Sequence, residues 1–283
     1  MTFTLRPMHR ADLDVAIAWA AAEGWQPGLG DGDSFYATDP HGFWRGELGG
    51  KPISCISAVA YNNCYGFVGF YIVHPDYRGQ GYGWQTWQHA LAYLGDRQMG
   101  LDGVVAQQAN YQKSGFEVAY RNIRYSAQFS TLPEPQQAAA VDVVPASTLP
   151  FDELTAFDAT YFPAARPTFL QHWLQQPNAL AAAVVERGAI QGYGMIRPCH
   201  QGWRIGPLFA TTPPVAETLL RQFLRHGYAK PCFWDIPEPN AAALALAAHY
   251  GFTPCFETAR MYKNGCPNLP LEGIFGVTTL ELG

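Results

Sequence analysis

The chain has 283 residues, of which 48% are apolar and 14% are charged, and its formal net charge is −5. This length favours two domains of about 140 residues each, and the composition is that of a packed globular protein rather than a disordered one. The acidic balance lacks the basic excess that nucleic-acid binding exploits, so no nucleic-acid partner is expected.

The cysteines, the histidines and the N-terminus bear on compartment and partners. The six cysteines form no CxxC pair, which is typical of reduced thiols in a cytosolic protein, and the eight histidines show no metal-ligand spacing. No basic-then-apolar signal opens the chain, and no segment approaches the roughly 18 consecutive apolar residues of a membrane span. We expect a cytoplasmic protein with no metal and no membrane partner; the sequence gives no indication of oligomeric state.

The first 130 residues predict a β-then-α opening, an antiparallel meander and a further set of helices and strands. A strand over 2–6 precedes a helix over 12–22, and a Gly- and Asp-rich loop or broken helix follows over 24–33. The later expected elements are strands over 43–48, 52–60 and 66–73, a turn over 74–83, a helix after Gly83, a strand over 101–106, a short helix over 107–114, and a closing strand pair or long strand over 116–129.

The segment 131–140, rich in Pro, Ala and Gln, has the composition of an interdomain linker. The order of elements then recurs over 141–283. Gly69 precedes Gly115 by 46 residues and Gly206 precedes Gly251 by 45, and each later glycine is followed by phenylalanine and, eight residues further, by an arginine. We interpret the halves as a duplication. The elements expected in the second half are a strand near 141, helices over 147–159 and 167–175, strands over 180–186, 189–197 and 202–210, a helix over 214–226, a strand over 231–236, a helix over 239–249 and a strand over 252–262.

The segment 70–83 carries the clearest chemical signal. It reads FYIVHPDYRGQGYG, which is an apolar strand, a turn marked by proline, and a glycine-rich loop that opens a helix. Glycines allow backbone N–H groups to converge on an anion, and a helix N-terminus adds unpaired donors and the positive end of its dipole. The loop predicts a phosphate site. A Walker A loop would need GK[ST] after the glycines, and a Rossmann fingerprint would need its last glycine three positions after Gly81, whereas Gly83 follows by two.

The same residues resemble the pyrophosphate loop of the GNAT N-acetyltransferase superfamily, [RQ]-x-x-G-x-[GA]. The resemblance covers nearly the full chain and implies an α/β protein of two tandem GNAT-like domains, each a mixed, mostly antiparallel sheet flanked by helices. It also implies acetyl-CoA as the cosubstrate. The residues that would bind its pantetheine arm are Ile72 and Val73, and those that would hold its pyrophosphate are Arg78, Gly79, Gln80, Gly81, Tyr82 and Gly83.

A second segment, Asn110 to Phe116, resembles the family's Tyr-x-x-x-Gly-Phe pattern. In the family the matching tyrosine commonly protonates the departing thiolate, so Tyr111 would be the general acid and Asn110 would lie beside the cofactor. A phenol with a pKa of about 10 is a suitable donor if it lies within hydrogen-bond reach. The alternative role of Tyr111 is packing against coenzyme A without proton transfer.

The attacking amine must be neutral, so a carboxylate acting directly or through water is expected near the acceptor. The segment 23–44 occupies the region that walls the acceptor pocket in GNAT proteins. The nearest carboxylates are Glu23, Asp31, Asp33 and Glu47, and we select Glu23 and Asp33 as catalytic candidates. Surface solvation or helix capping is the alternative role of each.

The second half departs from the pattern where the loop should lie. Residues 209–217 contain two prolines, no glycine and neither Arg nor Gln, and proline cannot donate a backbone hydrogen bond. We expect this half not to bind coenzyme A, and instead to cover the first domain's sheet or to complete the acceptor pocket.

The expected function is N-acetyl transfer from acetyl-CoA to an amine of a small-molecule or peptide acceptor by direct attack. The backbone amide near Val73 would polarise the thioester carbonyl. A non-catalytic acyl-CoA-binding sensor or partner-binding module is the alternative, and a nucleotide-binding regulator is a third reading.

Overall fold

The computed structural model describes residues 2–136 and 142–283. In these residues the helices are α1 (Arg10–Ala22), α2 (Asp31–Thr38), α3 (Tyr82–Leu94), α4 (Gln108–Lys113), α5 (Phe151–Tyr161), α6 (Pro167–Trp173), α7 (Pro213–His226) and α8 (Ala241–His249). The strands are β1 (Phe3–Pro7), β2 (Phe43–Leu48), β3 (Lys51–Ala60), β4 (Tyr65–Val73), β5 (Gln98–Val104), β6 (Glu117–Ala127), β7 (Asp142–Pro145), β8 (Leu180–Glu186), β9 (Ala189–Cys199), β10 (Gly202–Ala210), β11 (Cys232–Pro237), β12 (Thr253–Lys263) and β13 (Ile274–Gly276).

All thirteen strands of the described residues join one sheet, in the order β1-β2-β3-β4-β5-β12-β6-β11-β10-β9-β8-β7, with β13 beside β10. The β4/β5 and β10/β11 pairs are parallel, and the other pairs are antiparallel. The expected mixed, mostly antiparallel α/β architecture in two tandem units is confirmed. The order is symmetric about its centre, and the sheets of the two halves are continuous with each other.

The two central strands are exchanged between the halves. β12 pairs with β5 of the first half, and β6 pairs with β11 of the second half. The arginines that repeat in the sequence mark this exchange, because Arg260 pairs with Asp102 and Arg124 pairs with Asp235. Each half therefore completes the sheet of the other.

The segment expected as a loop or broken helix over 24–33 lies between α1 and α2 and enters α2. Helix α2 begins at Asp31, and its residues Asp31 and Phe35 are fully buried. Phe35 packs against Phe70 of β4 and Trp173 of α6. This burial outweighs the poor helix propensity of Gly and Asp, so the break between the two helices ends at Gly30 rather than at Asp33.

Two other expectations on the strands need correction. Strand β5 spans Gln98–Val104 rather than 101–106, because its first residues pair with the start of β4 at Tyr65. Strand β13 was not expected, since its three residues are too few to show a period.

The expected linker over 131–140 is described in part. Residues 131–136 form neither helix nor strand, and residues 137–140 lie outside the described residues, as does residue 141. The strand expected near 141 is β7, which begins at Asp142.

Helices cover both faces of the first half of the sheet. Helices α1 and α2 pack against the face that carries Cys55 and Phe70, whereas α3 packs against the face that carries Ile56 and Val68. Among the described residues, no helix is long and apolar enough to cross a membrane.

Candidate active site

Strands β4 and β5 run together at first and then separate. Their pairing extends from Tyr65–Gln98 to Val68–Leu101, after which β5 continues to pair only with β12 on its other side. Strand β4 bulges at the same point, where the register with β3 shifts and Phe70 adopts a φ of +46°. A wedge-shaped gap therefore opens between residues 69–73 and 102–104, along which the edge of β4 has no strand partner among the described residues.

The glycine-rich loop lies at the mouth of this gap. Gly79 and Gly81 have φ of +74° and +84°, and a Cβ added at either position would meet no atom within 4 Å. Gly81 is the N-cap of α3 and no side chain caps the helix, so the N–H groups of the first turn are left without helical partners. The loop presents backbone donors and a helix N-terminus to one space, which is an arrangement suited to an anion.

Arg78 and Glu23 form an ion pair beside the loop. The Arg78 Nε also donates to the carbonyl oxygen of Val73 at 2.8 Å. Both side chains are partly exposed, at 50% for Arg78 and 35% for Glu23. The pair ties the end of α1 to the loop, and it engages the Glu23 carboxylate with a guanidinium.

A groove of about 490 Å³ runs from the loop to Tyr111. This volume lies in the range of cofactor sites. Of the predicted cofactor-binding residues, those that line the groove are Ile72, Val73, Arg78, Gly79, Gly81 and Gly83.

The other three predicted cofactor-binding residues do not line this groove. The Gln80 amide donates to the Asp76 carbonyl at 3.0 Å, and the Tyr82 ring packs 5.1 Å from that of Phe3. Asn110 lines an adjoining cavity of about 310 Å³ between α3 and α4. Tyr82 nevertheless belongs to the first turn of α3, so its backbone N–H still faces the loop region.

A smaller cavity, which we call the inner chamber, continues the groove into the sheet. Its volume is about 30 Å³, and it shares Trp25, Tyr71, Val104 and Tyr111 with the groove. Three further residues that line the inner chamber come from the second half of the chain: Phe256, Thr258 and Leu280. The sequence did not indicate these three, because they reach the site only through the strand exchange and the segment after β13.

Tyr111 stands where the groove meets the inner chamber. It is 8% exposed, and its ring packs 5.2 Å from that of Trp87. Its hydroxyl makes no hydrogen bond to another described residue. Burial, with a smaller contribution from Tyr71, raises the pKa of Tyr111 above its ordinary value of 10. The phenol therefore keeps its proton in the neutral range.

The structure does not bring Asp33 to this site. Its side chain is 72% exposed and pairs with Arg10 at 2.6 Å. Asp31 and Glu47, the other two carboxylates considered, pair with Arg197 and Arg45 respectively, and neither lines the groove or the inner chamber.

Asp102 is the carboxylate that lines the inner chamber, and sequence reasoning missed it. It accepts from Arg260 at 3.1 and 2.8 Å, and its side chain is fully buried. Two features of the sequence could have indicated Asp102. It is a charged residue within an apolar strand, and its partner Arg260 is one of the two arginines that repeat between the halves. In the described residues, no group of three or more His, Cys, Asp or Glu side chains is placed to hold a metal ion.

The corresponding gap in the second half is filled by the chain itself. Strands β10 and β11 pair in parallel only from Trp203 to Ile205, and β10 is irregular beyond that point. Strand β13 lies in the gap and pairs with β10, and the Val277 N–H donates to the Asp235 carbonyl at 3.0 Å. Helix α7 begins with Pro213 and follows no glycine loop.

Each half of the chain contains a parallel strand pair that separates midway, and in the first half a glycine loop lies beside it. This arrangement defines an N-acyltransferase of tandem GNAT architecture. The Acetyltransferase (GNAT) family model matches residues 13–116, and the Acetyltransferase (GNAT) domain model matches residues 154–276. Holothin acyltransferase from a Pseudoalteromonas species is 30% identical over 284 residues, covering 100% of this chain and 95% of that protein. The chain belongs to the GNAT acyltransferase family.

Solved structures share the fold over nearly the whole chain. A putative acetyltransferase from Pyrococcus horikoshii has a TM-score of 0.84 at 21% identity, covering 99% of this chain and 96% of that one. A tandem GNAT protein from the clavulanic acid biosynthesis pathway has a TM-score of 0.64 at 16% identity, covering 94% of this chain and 100% of that one.

Proposed function

We propose that the protein transfers the acetyl group of acetyl-CoA to an amine of a small-molecule or peptide acceptor. The observation that carries the proposal is the continuous path from the glycine loop, along the free edge of β4, to the Tyr111 hydroxyl. A thioester needs an anion site at one end and a proton donor for its leaving group at the other, and this path has both.

In this proposal coenzyme A lies in the groove between α3 and α4. The pyrophosphate binds the backbone N–H groups over 79–83 and the N-terminus of α3. The pantetheine arm follows Ile72 and Val73, whose edge of β4 has no strand partner among the described residues. Arg78 adds a positive charge at the loop.

The reaction is a direct transfer. The amine nitrogen attacks the thioester carbonyl carbon, the new C–N bond forms, and the C–S bond breaks. A backbone N–H of β4 near Val73 stabilises the negative charge on the carbonyl oxygen. Tyr111 gives its proton to the thiolate of coenzyme A, and the proton lost by the amine restores the phenol through solvent.

The size of the inner chamber supports a short acyl group. A volume of about 30 Å³ has room for roughly two water-sized groups. The carbonyl and methyl of an acetyl group are of this size, whereas a long acyl chain is not.

The two halves have different roles in this proposal. The first domain, 1–130, binds acetyl-CoA, and the linker over 131–140 leads to the second domain, 141–283. The second domain does not bind coenzyme A because β13 fills its gap, and it completes the chamber with Phe256, Thr258 and Leu280. We place the protein in the cytoplasm, where acetyl-CoA is available.

Thiol release from acetyl-CoA tests the proposal, with a panel of amines as acceptors. The panel begins with holothin, after the named substrate of the relative, and includes aliphatic amines, aromatic amines and peptides. Turnover with at least one amine, carried out by purified protein, supports the enzyme. Binding of acetyl-CoA without turnover of any amine would favour a sensor, and tighter binding of ATP or NAD than of coenzyme A would favour a nucleotide-binding regulator.

A further inference from the structure

Residues 277–283, which we call the tail segment, pass between the two bulged strands β4 and β10. A Cβ at Gly206 would lie 2.5 Å from the carbonyl oxygen of Val277, and a Cβ at Gly69 would clash with that of Glu281. Glycine at these two positions lets the tail segment lie directly against both strands.

The tail segment is buried and held by hydrogen bonds at both ends. The Val277 N–H donates to the Asp235 carbonyl at 3.0 Å, and the Tyr61 hydroxyl donates to the Leu282 carbonyl at 2.8 Å. The Leu282 N–H donates to the Thr279 hydroxyl at 2.9 Å, which closes a turn around Leu280. These hydrogen bonds hold the backbone on both sides of Leu280.

Leu280 is the residue of the tail segment whose side chain lines the inner chamber, and it is 8% exposed. Its neighbours are engaged elsewhere: Glu281 lies 3.5 Å from Arg204, and Leu282 is fully buried and lines neither the groove nor the inner chamber. The tail segment also lies outside residues 13–116 and 154–276, the two ranges that the family models match.

We propose that Leu280 limits the length of the acyl group that the protein transfers, so that the chain takes acetyl-CoA and rejects butyryl-CoA. The inference rests on the proposed function and deepens it. An acyl chain enters the chamber from the groove at Tyr111, and the branched end of Leu280 occupies space that additional methylene groups would need. An apolar pocket distinguishes two substrates that differ by one methylene group by a factor of about 10 to 200 in kcat/KM.

The test compares acetyl-CoA with butyryl-CoA as donors for one accepted amine. Leu280→Ala removes side-chain volume from the chamber, so the ratio of kcat/KM for butyryl-CoA over acetyl-CoA should rise at least about 10-fold. Leu280→Phe fills the chamber, so turnover of acetyl-CoA should fall. Leu282→Ala is the matched control, because it removes the same volume from the same segment outside the chamber, and its donor ratio should stay within about twofold of that of the wild type.

If Leu280→Ala does not fold, the donor ratio is measured on Leu280→Val instead, because this variant removes less volume from the chamber. An unchanged donor ratio in the folded Leu280 variants would overturn the inference, as would an equal change in Leu282→Ala or an effect confined to the KM of the acceptor. The affinities of acetyl-CoA and butyryl-CoA, measured by calorimetry on the same variants, give a second readout. If no amine supports thiol release, the proposed function fails, and the change in the affinity ratio still decides the role of Leu280.

Discussion

In the proposed reaction Tyr111 gives a proton and does not take one. Burial raises its pKa above 10, so the phenol stays protonated at neutral pH. Its hydroxyl has no partner among the described residues and stands where the groove meets the inner chamber. A thiolate leaving from that point is the group that it can protonate.

Replacing Tyr111 with Phe should lower kcat by about 100-fold or more, because general acid catalysis contributes about 10²- to 10⁴-fold. The KM for acetyl-CoA should change little, since the ring still packs against Trp87. Tyr71→Phe is the control, because Tyr71 lines the same two cavities and is not assigned a proton. Steady-state kinetics of both variants check this; an unchanged kcat in Tyr111→Phe would mean that packing, and not proton transfer, is the role of Tyr111.

The pH dependence of kcat follows from the raised pKa of Tyr111. Because the pKa of Tyr111 is raised, the acid form is lost only as pH rises above 10. With an amine whose conjugate acid has a pKa of about 5, kcat should stay flat from about pH 6 to pH 9. A decline with a midpoint below pH 9 would assign the limiting acid to another group.

At the scale of single residues, the sequence predicts what is local and misses what is assembled at long range. The glycine loop and Tyr111 lie in short segments whose spacing alone carries their chemistry. The carboxylates are different: Asp33 lies in the expected pocket segment but pairs with Arg10 at the surface, whereas Asp102 reaches the chamber through pairing with Arg260 of the other half. Proximity along the chain does not decide which carboxylate faces a cavity.

A buried charge network connects the central strands to the loop that carries Trp25. Asp235 of β11 accepts from Arg124 of β6 at 2.6 Å and is also paired with Arg204 of β10. Both arginines donate to the Trp25 carbonyl oxygen. Since Trp25 lines the groove and the inner chamber, the exchanged strands hold a wall of the site in place.

Replacing Asp235 with Asn should destabilise the fold by about 3–5 kcal/mol, because two buried arginines lose their partner. Burial alone would raise the pKa of Asp235, but Arg124 and Arg204 outweigh it and lower the pKa to about 2. A lowered pKa gives stability that is present above about pH 4 and is lost as pH falls toward 2. Urea denaturation between pH 5 and pH 2.5 should show this slope in the wild type and a weaker slope in Asp235→Asn.

Asp14→Asn is the matched control for this charge network. Asp14 pairs with Arg10 at 2.6 Å on the surface, where its side chain is 66% exposed. A surface pair contributes about 1 kcal/mol or less. If Asp14→Asn and Asp235→Asn lowered the free energy of unfolding equally, the buried network would contribute no more to stability than a surface ion pair, which would contradict the prediction.

At the scale of elements, most helices and strands follow from their apolar period, and the exceptions have physical causes. Helix α2 forms where Gly and Asp predict a loop, because Phe35 is held between Phe70 and Trp173. Strand β13 lies in the gap beside β10, and its three residues are too few to show an apolar period. No local sequence pattern therefore predicts it.

From the exchange of β6 and β12 we expect the two halves to form one cooperative unit. Strand β5 has only β12 of the other half along its second edge, and β11 likewise has β6. The sequence predicts the duplication, because both halves repeat one order of elements. It does not predict the exchange, since an apolar period decides which face of a strand is buried and not which strand lies beside it.

A fragment of residues 1–130 should therefore not fold to the native state, because β5 would lose β12 and leave an open edge. Far-UV circular dichroism and a two-dimensional NMR spectrum of the fragment check this, beside the full chain. The full chain should unfold in one transition. A folded fragment that binds acetyl-CoA, or two separate transitions in the full chain, would show that the halves are independent.

The central claim is a single coenzyme A site in the first half, and calorimetry with acetyl-CoA tests it most directly. The wild type should bind one molecule per chain, and Gly81→Glu should abolish binding by placing a negative side chain in the groove. Gly50→Glu is the matched control, because Gly50 has a φ of +83° with open space around it, like Gly81, but lies outside the groove. Two molecules per chain, binding that survives in Gly81→Glu, or no binding by the wild type would contradict the account.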